Sequence, residues 1–192
     1  MTASALRLTE KPDDQDADVA LLRGVANGDM RAYRILHKRH HARIYGFALR
    51  IVQSPDRAEE IANDTWLAVW RSAHRFEGRS AVTTWLFGIA YRTALKTRRR
   101  FLFERKHVDI DDAHDLADRT ATGAEAVMLA RDVAKALKTL SVELRTVVEL
   151  TYRYGYTYAE IGHLVGCPEG TVKSRMSMAR KKLKTSLEAH SR

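Results

Sequence analysis

The stretch "YTYAEIGHLVGCPEGTVKSRMSMARKKL", Tyr156 to Leu183, decides the fold of the carboxyl-terminal part of the chain. A helix-turn-helix needs a small residue where two helices cross, a glycine at the turn and an apolar anchor on the second helix. Gly162, Gly166 and Val172 have that order and spacing. Gly166 can adopt a positive φ where the first helix ends, and Pro168 is predicted at the first position of the second helix. The pattern therefore predicts a helix-turn-helix.

The predicted second helix is strongly basic. A cationic helix of this kind suits the major groove of DNA and the phosphates beside it. A helical hairpin with a solvated basic face is the plainer alternative, but the turn, the glycine spacing and the one-sided charge together favour DNA binding. The polar and basic side chains on this helix are Lys173, Ser174, Arg175, Ser177, Arg180, Lys181, Lys182 and Lys184.

The composition supports a polyanionic partner. The chain has 192 residues, with 33 Lys and Arg against 24 Asp and Glu, a net charge of +9 and a pI near 9.8. Such an excess of positive charge favours nucleic acid. The apolar runs are far shorter than the roughly 18 residues of a membrane span, so none is predicted. A single cysteine, Cys167, excludes an internal disulfide and fits a reducing cytoplasm.

The periodicity of apolar residues is helical nearly throughout, and no segment alternates as a half-buried strand would. We predict an all-α protein of two small helical domains. A first helix is expected over 18–25, a second after the N-cap Asp29, and a third from the pair Ser54 and Pro55. The predicted divisions are an acidic tail over 1–18, a first domain over 19–106, an acidic linker over 107–125 and a second domain over 126–192.

Both domains resemble a known family. "YAEIGHLVGCPEGTVKSRMSMARKKL" resembles region four of extracytoplasmic-function sigma factors, a class of the sigma-70 family. Independently, the segment from "AYRILHKRHH" to "TALKTRRR", residues 32–100, resembles region two. The resemblance covers about 19–187 in the correct order. It implies a protein that binds core RNA polymerase, recognises the −35 and −10 promoter elements, helps to open the duplex, and has no catalytic activity or cofactor of its own.

For the −35 element, the resemblance implies contacts from the second helix of the helix-turn-helix. Ser177 and Met178 stand where some relatives have arginine or an aromatic residue, so the promoter sequence stays open. The implied contact residues are Thr171, Lys173, Ser174, Arg175, Ser177, Met178, Arg180 and Lys181.

For the −10 element, the resemblance points to the loop "FEGRSAV" and the helix "TWLFGIAYRTALKTRRR" that follows it. The loop is expected to hold a flipped base, with Phe76 as the stacking ring. Arg92 occupies a position where many relatives have asparagine, so contact with a base and contact with a phosphate both remain open. Trp66, Trp70 and Trp85 are expected to pack in the core. The implied −10 residues are Phe76, Gly78, Arg79, Ser80, Ala81, Arg92, Lys96 and Arg99.

For the polymerase, the resemblance implies two docking surfaces. The third helix would bind the clamp of the largest subunit, and the second domain would bind the flap of the second-largest subunit. Many relatives also have an anti-sigma partner, and nothing in this sequence identifies one. The clamp residues are Glu59, Glu60, Asn63, Asp64 and Trp70, and the flap residues are Leu144, Val147, Val148 and Tyr152.

Other functions have weaker support. A freestanding helix-turn-helix regulator or a basic RNA-binding protein would not need the first domain. In "HKRHH", His37, His40 and His41 have helical spacing, but a structural zinc site requires four ligands, and Cys167 lies in the other domain. No metal site is therefore predicted. The sequence also lacks the hydrolase motifs HExxH, the nucleophile elbow and the Walker loop.

Overall fold

The computed structural model describes residues 12–104 and 132–190. All regular structure in those two ranges is helical, which confirms the predicted all-α class. The chain divides into two compact units, 1–111 and 112–192. The predicted linker over 107–125 lies outside the described residues, as does most of the predicted tail.

Within residues 12–104, the first unit has four α-helices. Helix α1 begins at Pro12 rather than near Asp18, so the tail predicted over 1–18 extends too far into the domain. The acidic segment that begins α1 resembles a solvated tail in composition, but acidic residues are also favourable at the positive end of a helix. The elements are α1 (Pro12–Ala26), α2 (Met30–Val52), α3 (Pro55–Ser72), a 3-10 turn (Ala73–Arg75) and α4 (Val82–Glu104).

Local signals set the start of α2 and α3. The Asp29 carboxylate accepts hydrogen bonds from the backbone N–H of Arg31 at 2.7 Å and of Ala32 at 3.3 Å, as an N-cap should. Pro55 occupies the first turn of α3, as predicted. Ser54 stands at the N-cap position but makes no side-chain capping hydrogen bond, contrary to its predicted role.

The core of the first unit lies where α2, α3 and α4 meet. The Phe47 and Phe87 rings lie 4.9 Å apart between centroids, and both side chains are buried. Each buried side chain of this size contributes about 1.5–3 kcal/mol of hydrophobic stabilisation. Other buried members are Leu22, Leu36, Ile44, Ile51, Ile61, Trp66 and Leu86.

A buried polar contact joins α1 to α2. The Asp18 carboxylate lies 2.5 Å from His40 Nε2 and accepts a hydrogen bond from Arg39 Nη1 at 2.9 Å. Burial alone would raise the pKa of Asp18, but its hydrogen bonds and charge interactions with His40 and Arg39 prevail and lower it. Asp18 therefore belongs to the packed domain.

The second unit contains the predicted helix-turn-helix. Thr157 and Glu160 form a capping box at the start of its first helix, and Gly166 ends that helix with φ 73°. A Cβ on Gly162 would lie 2.8 Å from the carbonyl oxygen of Cys167, so the close crossing does require glycine. The elements are α5 (described over 132–138), α6 (Val142–Tyr152), α7 (Tyr158–Val165) and α8 (Glu169–His190), so α8 begins one residue after the predicted Pro168.

A buried arginine on α6 stabilises the second unit. Arg145 is 6% exposed and donates hydrogen bonds to the carbonyl oxygens of Leu137 at 2.9 Å, Lys138 at 3.2 Å and Leu140 at 2.8 Å. Burial lowers its pKa to about 10, and the nearby Glu149 carboxylate partly opposes that shift. The guanidinium thus adds a charged donor to carbonyl groups at and just after the end of α5.

Candidate nucleic-acid interface

The exposed face of α8 carries the residues predicted for the −35 element. Val172, Met176 and Ala179 are buried against the domain, so the side chains between them point outward. Thr171 and Arg175 are half-buried, while the other predicted residues are exposed; Met178 is 51% exposed. The exposed members are Lys173, Ser174, Ser177, Met178, Arg180 and Lys181.

Several of these side chains already have partners in the second unit. Lys173 Nζ lies 2.8 Å from Glu169 Oε1, and this hydrogen bond raises the pKa of Lys173. Arg180 Nη2 donates a hydrogen bond to Tyr152 Oη at 3.1 Å, and Arg175 Nη1 lies 3.7 Å from Cys167 Sγ. The Ser174 hydroxyl donates to the Gly170 carbonyl at 3.0 Å, so its proton is directed into the helix.

The loop predicted to hold a flipped base is anchored by an aromatic contact. Phe76 and Trp85 meet edge to face, with centroids 5.6 Å apart and planes at 69°. Gly78 has φ 72°, and Arg79 forms an ion pair with Glu77 at 2.7 Å while remaining mostly exposed. Ser80 and Ala81, like Phe76, are half-buried, so the predicted pocket residues share one short, partly accessible loop.

The three tryptophans differ in burial. Trp66 is 2% exposed and belongs to the core, as predicted. Trp70 is half-buried and meets Tyr33 at 5.4 Å with planes at 85°, and Trp85 is also half-buried. Assignment of Trp70 and Trp85 to the core is therefore only partly right, because each ring keeps an accessible portion.

A groove of about 580 Å³ runs between α3 and α4. Arg92 and Lys96, both predicted for the −10 element, line its α4 side, and Trp85 lies at the end towards the loop. Arg71 on α3 and Arg75 on the following 3-10 turn line the opposite side and were missed in the sequence, although arginines four residues apart would share one side of a continuous helix. Partial burial lowers the pKa of Arg92, which still presents an exposed side chain.

The residues predicted for the polymerase clamp divide between two edges of α3. Asp64 lines the groove beside α4, whereas Trp70 contacts Tyr33 on α2. Glu59, Asn63 and Asp64 are exposed. Glu60 forms an ion pair with Arg100, so this predicted polymerase contact is joined to the arginine run at 98–100 on α4.

The flap surface predicted on α6 needs correction. Leu144, Val147 and Val148 are 7%, 0% and 8% exposed, because they form the core behind α8. Tyr152 is 55% exposed and is the one member of that set available to a partner.

Comparison with known families decides the identity of the chain. The family described as Sigma-70 region 2 matches residues 36–101, and Sigma-70, region 4 matches residues 130–183. The ECF RNA polymerase sigma factor SigM of Mycobacterium tuberculosis is 32% identical over 87% of this chain and 83% of SigM. This chain belongs to the extracytoplasmic-function sigma factors. The resemblance predicted from the sequence is confirmed.

Other relatives of the sigma factor agree. SigK of Mycobacterium bovis is 31% identical over 88% of this chain and 92% of SigK, and the sigma-H factor of Pseudomonas aeruginosa is 29% identical over 91% and 95%. The sigma factor RpoE from Bartonella quintana, solved with the anti-sigma factor NepR, has a TM-score of 0.65 at 25% identity, with 83% of this chain and 98% of RpoE covered. The sigma factor function is therefore favoured over a freestanding regulator or an RNA-binding protein.

The three histidines of the segment HKRHH make contacts within the first unit of the sigma factor. His40 pairs with Asp18, while the His37 and His41 rings stack at 4.6 Å with planes 19° apart. His37 also lies 4.7 Å from the Trp66 ring; burial, followed by the charge of His41, lowers its pKa. Within 12–104 and 132–190, no three potential ligands come together to hold a metal ion.

No helix in those ranges is long and apolar enough to cross a membrane.

Proposed function

We propose that this sigma factor brings core RNA polymerase to promoters by binding the −35 element with α8 and capturing an unpaired base of the −10 element at the loop 76–82. The observation that carries the −10 assignment is the half-exposed pair Phe76 and Trp85 beside the basic side chains Arg92 and Lys96. Aromatic faces accept unstacked bases of any sequence, and a basic groove follows the backbone. That combination favours single-stranded over paired DNA.

The loop would offset the cost of opening the duplex. Extruding a base costs a few kcal/mol, and stacking on an aromatic side chain returns about 1–3 kcal/mol per base. Gly78, Arg79, Ser80 and Ala81 would form the rest of the pocket around the base. Arg99, which is exposed on α4, would contact the backbone beyond it.

On α8, the exposed cations would provide both sequence recognition and phosphate contacts. A bidentate contact between Arg or Lys and guanine contributes about 1–3 kcal/mol of discrimination. Arg180 is suited to a phosphate, since its hydrogen bond to Tyr152 holds the guanidinium at the edge of the helix. Lys181 extends the same basic surface.

The exposed polar residues of α3 would dock on the clamp of the largest polymerase subunit, with Trp70 as their apolar member, and Tyr152 would contact the flap of the second-largest. The protein would act in the cytoplasm, with chemistry supplied by the polymerase and no cofactor of its own. RpoE is described with the anti-sigma factor NepR, and CnrH with the cytosolic domain of CnrY. The RpoE complex supports an anti-sigma partner for this chain too.

The test is transcription in vitro with core RNA polymerase and a genomic DNA library. We expect transcripts that start downstream of one shared pair of sequence elements, and weak promoter binding by the sigma factor alone. High promoter specificity in the absence of polymerase would contradict the proposal and favour a freestanding regulator.

A further inference from the structure

The groove between α3 and α4 has two walls, and only one of them belongs to the predicted −10 surface. Arg92 and Lys96 stand on α4, while Arg71 on α3 and Arg75 on the following 3-10 turn stand opposite. The groove therefore contains four cationic side chains and one carboxylate, Asp64. The family resemblance implies only polymerase docking for α3.

We infer that Arg71 and Arg75 are phosphate-binding residues, and that the groove between α3 and α4 is the path of the unpaired DNA strand as it leaves the loop. This inference rests on the proposed function and extends it to a second helix. The ligand chemistry is a single-stranded phosphodiester backbone, bound without regard to base sequence.

The charge and the surface of the groove fit that ligand. Arg71 and Arg75 are exposed, and neither makes an ion pair within the described part of the chain. The apolar lining includes Leu67, which is 46% exposed, and the half-buried Trp85. Cations along the walls with apolar and aromatic surface between them can hold both the phosphates and the bases of a single strand.

The position of the groove also fits. Trp85 lines the groove and contacts Phe76, so the groove begins at the loop proposed to capture a base. From Trp85 to Lys96 the helix advances about 16 Å, which accommodates at most about five nucleotides at the spacing of a duplex strand. At the other end, Glu60 and Arg100 form an ion pair across the same two helices.

The experiment compares two double variants of the full chain. Arg71→Ala/Arg75→Ala removes the α3 wall, and Arg31→Ala/Arg34→Ala removes the same charge from exposed positions of α2. Binding of each protein to a fluorescein-labelled dT12 oligonucleotide is measured by anisotropy over a range of salt concentrations. Because each phosphate contact on a single strand contributes about 0.7 to the log–log slope, the groove variant should lose about 1.4. The α2 variant should keep the wild-type slope.

Three results would overturn the inference: a wild-type slope in the groove variant, equal slope losses in both variants, or no binding of dT12 by the wild-type chain at low salt. Affinity for core polymerase is measured alongside. If the groove variant loses core binding and keeps its dT12 slope, the groove is a polymerase contact and the inference is wrong. Promoter-specific transcription by the wild-type protein tests the proposed function separately, so the two can fail independently.

Discussion

Phe76 and Trp85 meet edge to face across the junction of loop and helix, with ring centroids 5.6 Å apart. The contact holds the loop aromatic against α4 instead of leaving it free in solvent. Trp85 is half-buried, and its exposed portion borders the cationic groove. An aromatic pair held in this way is already ordered before DNA arrives, which lowers the entropic cost of binding.

Replacing Phe76 by alanine should impair promoter opening more than initial promoter binding. Loss of one stacking partner corresponds to about 1–3 kcal/mol, or about 5- to 150-fold in the open-complex equilibrium. Opening is followed with 2-aminopurine in the −10 element, and initial binding by electrophoretic mobility shift at low temperature. His74→Ala, at a neighbouring exposed position, is the matched control. Equal losses at both stages would argue against a base pocket at Phe76.

The arginines at 98–100 should not contribute equally to DNA binding. Arg99→Ala should lower the log–log salt slope for duplex promoter DNA by about 0.9, the loss expected for one phosphate contact. Arg100 is joined to Glu60, so Arg100→Ala should change the slope less and cost at most about 1 kcal/mol of stability, because the pair is partly exposed. The two single variants are measured in the same holoenzyme assay. Identical salt slopes for Arg99→Ala and Arg100→Ala would contradict the prediction that the ion pair with Glu60 keeps Arg100 from contacting phosphate as Arg99 does.

Removal of the buried guanidinium of Arg145 should destabilise the second unit selectively. Arg145→Met removes the side-chain hydrogen bonds to the carbonyl oxygens of Leu137, Lys138 and Leu140, at a cost of about 3 kcal/mol. All three tryptophans lie in the first unit, so tryptophan fluorescence reports that unit while circular dichroism reports both. In urea, the dichroism transition should move to lower concentration with the fluorescence transition unchanged.

Lys135→Met, at an exposed position of α5, serves as the control for Arg145→Met and should leave both transitions in place. If both transitions move to lower urea concentration together, the two units unfold together and the hydrogen bonds of Arg145 stabilise the whole chain.

Acidification should destabilise the first unit. Burial and the neighbouring His41 lower the pKa of His37 in the folded state, so the unfolded chain binds the proton more readily. Stability is then complete above the ordinary histidine pKa of about 6.5 and falls as pH drops through the lower folded value. The pKa of Asp18 is lowered as well, but its contribution is lost only at pH values below about 4.

The measurement is urea unfolding followed by tryptophan fluorescence between pH 7.5 and pH 5. His37→Phe keeps an aromatic ring beside Trp66 and should reduce the pH dependence, while the exposed His74→Ala should not. A pH dependence that survives in His37→Phe would assign the effect to another group.

The local parts of the fold followed from short-range patterns. Gly162, Gly166 and the N-cap Asp29 act within one or two helical turns, and such contacts depend on neighbours in the chain. The capping box of Thr157 and Glu160 is equally local but was not predicted. The start of α1 was misplaced, since the acidic composition before Asp18 suits both a solvated tail and a helix start.

The sequence by itself determined the helical class, the helix-turn-helix, the family and the side chains that form the basic face of α8. Tertiary structure decided which side of each helix meets which neighbour. It placed Arg71 and Arg75 opposite Arg92, paired Glu60 with Arg100, and buried the apolar residues of α6 that looked available to a partner. Helical periodicity reveals the faces of one helix, whereas a groove depends on how two helices pack, and that packing depends on contacts between residues distant in the chain.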